Sequence, residues 1–134
     1  MDFSTAIQNV NWMAVLIAAL SMFIIGGVWY SIFEKSWMES NNFSREDVQK
    51  RNTPRIFGLS FILSFIMAFD MALSIGHNGV KYGITAGFLV GLLVAMGLAV
   101  VSLFEKRPLK YILVNGGYLI TVFTTMGIII GTWK

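Results

Sequence analysis

The sequence predicts an all-α integral membrane protein, a bundle of four transmembrane helices. Three observations lead there. Of 134 residues, 56% are hydrophobic and only 13% charged, against about 45–50% and 25% in ordinary soluble domains. Mean hydropathy is +0.71. Four apolar runs, Trp12–Ile32, Ile56–Ile75, Tyr82–Phe104 and Tyr111–Thr132, each approach the roughly 20 residues that cross a bilayer as a helix.

Lipid offers no hydrogen-bond partners, so a spanning backbone must satisfy itself, and these runs are expected to be helices. A membrane barrel would show shorter segments alternating apolar with polar. The connections, 33–55, 76–81 and 105–110, are too short for a second globular domain. Residues 1–134 therefore read as a single four-span domain. The absence of cysteine excludes disulfides, thiolate metal sites and cysteine nucleophiles, and one histidine, His77, cannot build a His-rich metal site. No cofactor is expected. Basic residues gather between the apolar runs and not on an aromatic face, which speaks against nucleic-acid binding.

The first run, Trp12–Ile32, follows "MDFSTAIQNVN", which holds no Lys or Arg. A cleaved signal peptide would carry a basic start and a shorter apolar core, so this run reads as a retained span. Gly26 and Gly27 near its end can admit a neighbouring helix or allow a bend. The connection 33–55 holds "SREDVQKRNTPR". Ser44 is a good N-cap, and Asp47 three residues on resembles a capping box. Glu46 and Asp47 in a first turn and Lys50 and Arg51 in a last suit the helix dipole, and Pro54 would end the helix before the second span. The expected product is a short surface helix, a solvated connector or partner-docking element whose basic end can touch anionic headgroups.

Charge also orients the bundle. Lys35, Arg45, Lys50, Arg51 and Arg55 in the first connection and Lys106, Arg107 and Lys110 in the third make eight basic residues on one side; only Lys81 and Lys134 lie on the other. The excess of Lys and Arg belongs in the cytoplasm, which places both termini outside. Aromatic rings favour the headgroup region, and Trp12 and Trp133 fall at the outer boundary, with Trp29, Tyr30, Trp37 and Tyr111 at the inner one.

The second span contains the main anomaly. Asp70 stands among apolar residues, about 7 Å of helix rise short of the end of the run at Ile75. Carboxylates at the centre of a membrane cost about 2.5 to 3.5 kcal/mol and usually mark function. Ser74 and His77 follow at four and seven residues, on the same face if the helix passes Gly76. Such a stripe can relay protons between a desolvated carboxylate and an imidazole titrating near neutrality. The alternative is a structural peg, with Asp70 hydrogen-bonded to Thr124 or Thr125 or paired with Lys81. A serine-hydrolase site is not expected, because no nucleophile elbow accompanies Ser, His and Asp.

In the third span Gly83, Gly87, Gly91, Ala95 and Ala99 recur every fourth residue, with Gly97 nearby. Such a row lets two backbones approach closely; the partner can be a helix of the same chain or a second subunit. The fourth span carries Asn115, Tyr118, Thr121, Thr124 and Thr125, a polar stripe that should face protein or water. Tyr30 and Ser31 lie at the depth of Asn115 and can face it.

The segment "NWMAVLIAALSMFIIGGVWYSIFEKSWM", Asn11 to Met38, resembles the opening of the bacterial membrane family named domain of unknown function 1761. Asn11, Trp12, Trp29, Tyr30, Ser31, Trp37 and Met38 are the motif positions, with Ile32 where that family commonly has a proline. "FSREDVQKR" is similar to its loop helix, and four spans follow in matching order. The resemblance implies a small four-span inner-membrane protein and carries no catalytic residue with it. Three function classes remain, in order of support. The first is a non-enzymatic structural or accessory protein, a homo-oligomer or part of a larger membrane complex. The second is a proton, ion or solute pathway through Asp70 and the polar stripe. The third is a lipid-acting enzyme, for which neither a metal constellation nor paired carboxylates are visible. Membrane lipids are the expected surroundings.

Overall fold

The computed structural model describes residues 2–133; Lys134, one of the two outer basic residues of the orientation argument, lies outside them. Seven helices follow one another: α1 (Phe3–Gln8), α2 (Trp12–Ile32), α3 (Glu34–Asn41), α4 (Arg45–Gln49), α5 (Thr53–Ile75), α6 (Gly79–Phe104) and α7 (Leu109–Thr132). Of these, α2, α5, α6 and α7 are long and apolar enough to cross a membrane.

Local chemistry explains the ends. The Asn11 side chain caps α2 by accepting from the Met13 and Ala14 amides at 3.1 and 3.2 Å. Ser44 accepts from the Asp47 amide and Asp47 from the Ser44 amide at 3.1 and 2.9 Å, a complete capping box on α4. Lys50 and Arg51 fall just beyond the last turn of α4. Pro54 sits in the first turn of α5 behind the Asn52 cap, where its missing N–H has no partner to lose. It therefore opens the second long helix, which begins at Thr53 and not at Ile56. The third and fourth long helices likewise start earlier than expected, at Gly79 and Leu109. Helices α1 and α3 are additions that the apolar pattern did not announce. Gly76, with φ +56°, ends α5, so His77 lies in the turn and not on the helix face of Asp70 and Ser74.

The four long helices alternate in direction, with α7 in the middle. Helix α6 lies along α7, α2 packs on another side of α7, and α5 packs on α2 and reaches α7. The row Gly83, Gly87, Gly91 and Ala95 is buried against α7. A Cβ on Gly91 would stand 2.8 Å from the Ile120 Cα, and one on Gly87 3.0 Å from the Thr124 Cα. The small-residue face is therefore consumed within the chain. Ala99 is only half-buried, and Gly97 faces open space.

The α2–α5 pair is asymmetric. Ala14, Val15, Ala18, Ala19 and Ser21 of α2 are buried, as are Ser64, Ala68, Met71, Ala72 and Ile75 of α5, and the Ser64 hydroxyl, fully buried, donates to the Ala19 carbonyl at 2.8 Å. All buried residues of these two helices lie in the halves away from the basic connections. Toward the basic end Phe23 of α2 meets Phe57 and Phe61 of α5 at 5.9 and 6.4 Å between rings, with Gly26, Gly27 and Ser60 beside them. A cleft opens between the two helices there. The Lys110 ammonium donates to the Glu39 carboxylate at 2.9 Å, tying the two basic connections together at this same end.

Candidate functional site

The motif residues of the first long helix converge on α7 at the basic end. The Trp29 indole N–H donates to the Val114 carbonyl at 2.9 Å, and its ring lies over Gly117, where a Cβ would be 2.9 Å from Cζ2. The Tyr30 hydroxyl donates to Asn115 Oδ1 at 2.6 Å, and Asn115 Nδ2 donates to the Tyr111 carbonyl at 3.0 Å. The Tyr118 hydroxyl donates to the Met22 carbonyl at 2.9 Å, over a gap left by Gly26, where a Cβ would lie 3.2 Å from the hydroxyl oxygen. Gly26 and Gly117 thus each make room for one aromatic ring of the other helix. The Tyr30 and Tyr118 rings are 5.0 Å apart, and Trp37 meets Tyr30 edge-on at 5.9 Å.

Ser31 donates back to the Gly27 carbonyl at 2.5 Å. Although Ile32 replaces the family proline, the chain still breaks at Phe33, whose φ and ψ of −102° and 20° separate α2 from α3. Helix α3 then carries Trp37 and half-buried Met38 across the end of α7. Trp12 does a different job at the far end, stacking on Phe69 at 5.4 Å and Phe65 at 6.3 Å.

Beside this cluster, in the wedge between α2 and α5, lies a cavity of about 540 Å³. Met22, Phe23, Ile56 and Phe57 form its apolar part; Tyr30, Ser31, Glu34 and Arg51 supply polar groups toward the basic end. Sequence reading paired Tyr30 with Asn115 but missed the cavity. Gly26, Gly27 and Ser60, set among Met22, Phe23, Ile56 and Phe57, leave it open.

The other candidates are not brought together. Asp70 is exposed on α5, and its carboxylate has no hydrogen bond or ion pair among the described residues. The contacts expected with Thr124, Thr125 or Lys81 are not formed. Thr121, Thr124 and Thr125 instead donate to the carbonyls of Gly117, Ile120 and Thr121 on their own helix at 2.7–2.9 Å, the usual back-bond of a hydroxyl in a helix. Ser74 donates to the Asp70 backbone carbonyl at 3.0 Å and not to its carboxylate, and His77 is exposed in the turn. No continuous relay links these groups. Among the described residues no three His, Asp or Glu side chains are placed to hold a metal ion.

Residues 13–131 match the family described as "Protein of unknown function (DUF1761)". The chain belongs to this family. No curated protein and no solved structure matches it. The match begins within the motif segment and runs through all four long helices, so the Trp29–Tyr30–Asn115 cluster and the cavity both lie inside the family region. The length and apolarity of the four long helices point to a multi-pass membrane protein, and the family description assigns no reaction.

Proposed function

We propose that this DUF1761 protein is a non-enzymatic assembly unit of a bacterial inner membrane, with both termini outside, which pairs with a second copy of itself through the outward face of α5. Asp70 carries the reading. It lies on one stripe with Leu63 and Ile66, which are 60% and 50% exposed, and a carboxylate facing lipid alone would be costly. A two-fold pair would set Asp70 beside its own copy, where one proton shared between two carboxylates satisfies both; interfaces about a two-fold axis are self-complementary in this way. The eight basic residues at one end of the fold support a cytoplasmic position for that end. A proton or ion pathway has less support, because Asp70, His77 and the fourth-helix hydroxyls are not contiguous.

The chain has no cysteine, so single-cysteine variants report without background. Ile66→Cys should form a disulfide-linked dimer in native membranes, and Leu93→Cys, 71% exposed on α6, should not. Asp70→Asn should keep the pair and Asp70→Leu should weaken it. Equal cross-linking at both positions, or extraction at fixed ratio with larger subunits, would overturn pairing through α5. Cysteines at Asn42 and Asn78 should label from the cytoplasm and from outside, respectively; the reverse would invert the topology.

A further inference from the structure

We propose that the wedge between α2 and α5 holds one phospholipid whose head carries a primary ammonium, with one of its acyl chains in the apolar part and its head between Glu34 and Arg51. This is independent of how copies of the chain assemble. The cavity, at about 540 Å³, falls within the roughly 300–1,000 Å³ of small-molecule sites. Its two parts differ in the way an amphiphile does. Phe23 and Phe57, whose rings are 5.9 Å apart, wall the section nearer the middle of the helices, and Glu34 and Arg51 stand where α2 and α4 leave them. Helices that end there reach the depth of headgroups, so an occupant entering sideways from the bilayer presents chain to chain and head to charge.

The charges select the head. Arg51 has no ion-pair partner among the described residues, and a guanidinium is suited to bidentate phosphate binding. Glu34 meets only Arg45, at 3.6 Å in an exposed pair, a contact weak enough for an ammonium to replace. Three of the hydroxyls that line the wall add acceptors, and Ser60 adds a hydroxyl with no partner among the described residues. The Tyr30, Tyr118 and Ser31 protons are already given to Asn115, Met22 and Gly27, which leaves their oxygens free to accept. A site with one cation, one carboxylate and a collar of acceptors fits a phosphate followed by an N–H-bearing ammonium. A quaternary ammonium lacks the N–H, and a glycerol head lacks the positive charge.

The test uses delipidated full-length protein in detergent, titrated with phosphatidylethanolamine, phosphatidylcholine and phosphatidylglycerol of identical acyl chains and read by native mass spectrometry. Phosphatidylethanolamine should be retained one per chain, about fivefold more tightly than the other two, the worth of one partly exposed charged contact. Glu34→Gln should remove that preference while leaving a bound lipid, and Arg51→Gln should weaken all three. Gly27 lines the cavity and has open space around its Cβ position, so Gly27→Leu should fill the wedge without disturbing helix packing and abolish the one-to-one complex. Soluble phosphoethanolamine should not compete, because it has no chain for the apolar section. Equal retention of all three lipids, unchanged retention in Gly27→Leu, or a preference that survives in Glu34→Gln would overturn the assignment.

Discussion

The contact between α6 and α7 gives the sharpest energetic test. A Cβ at Gly87 would stand 3.0 Å from the Thr124 Cα, and one at Gly91 2.8 Å from the Ile120 Cα. At Gly83 and Gly127 each added Cβ runs into the carbonyl oxygen of the other residue. Carbon atoms at rest sit about 3.5–4.0 Å apart, and the obstacle here is backbone, which cannot rotate aside. Alanine at Gly83 or Gly87 must therefore push the helices apart locally by roughly 0.5–1 Å, and a gap of that size forfeits a quarter to a half of each nearby contact. Overpacking of this kind costs about 1–3 kcal/mol. Gly97 is the control. It lies on the same helix with nothing within 4 Å of its Cβ position, and alanine there should be neutral or stabilising by about 0.5–1 kcal/mol, since it removes glycine from a helix interior. Unfolding of the detergent-solubilised protein by titration with sodium dodecyl sulfate measures the difference. Gly83→Ala and Gly87→Ala should unfold clearly earlier than wild type and Gly97→Ala should not. If all three shift together, the loss reflects altered helix propensity or detergent binding, and the packing argument fails.

Two further expectations concern the basic end. Tyr30→Phe leaves Asn115 Oδ1 without its donor, and Trp29→Phe leaves the Val114 carbonyl without the indole; each should lower stability by about 0.5–1.5 kcal/mol in the same titration. A double variant that loses much less than the sum would show that the two bonds hold one joint. The Lys110 hydrogen bond, and then its charge, hold the Glu39 carboxyl below its ordinary range. A carboxyl depressed in the folded state adds stability above its unfolded pKa, and that stability is lost as pH falls through the folded value. The thermal midpoint in detergent should therefore fall on acidification through the carboxylate range. Glu39→Gln should flatten that part of the profile, as should high salt, because the pair is exposed. A profile identical in wild type and Glu39→Gln would remove this pair from the account.

Several features were legible because their causes are local. Apolar run length alone marks four helices, since each must cross or bury the same thickness, and Ser44 and Asp47 announce a cap that depends on atoms three residues away. The small-residue row in α6 announced a close helix contact, and the tyrosine at position 30 was placed opposite Asn115 by depth. Other features depend on which helix faces which, and no residue carries that information by itself. Whether Gly83, Gly87 and Gly91 meet their own chain was decided by the position of α7. The threonines of α7 looked like a polar stripe, but a helix offers each hydroxyl its own carbonyl one turn back, so the stripe closes on itself. Asp70 looked like half of a pair, and the rotation of α5 turned it outward. The cleft between α2 and α5 needs residues from both helices to line it. Composition and spacing thus determined a four-helix membrane protein with its basic connections at one end, whereas the cavity, the exposed carboxylate and the Trp29–Tyr30 joint were decided by packing, because the distance between two helices is set jointly by both.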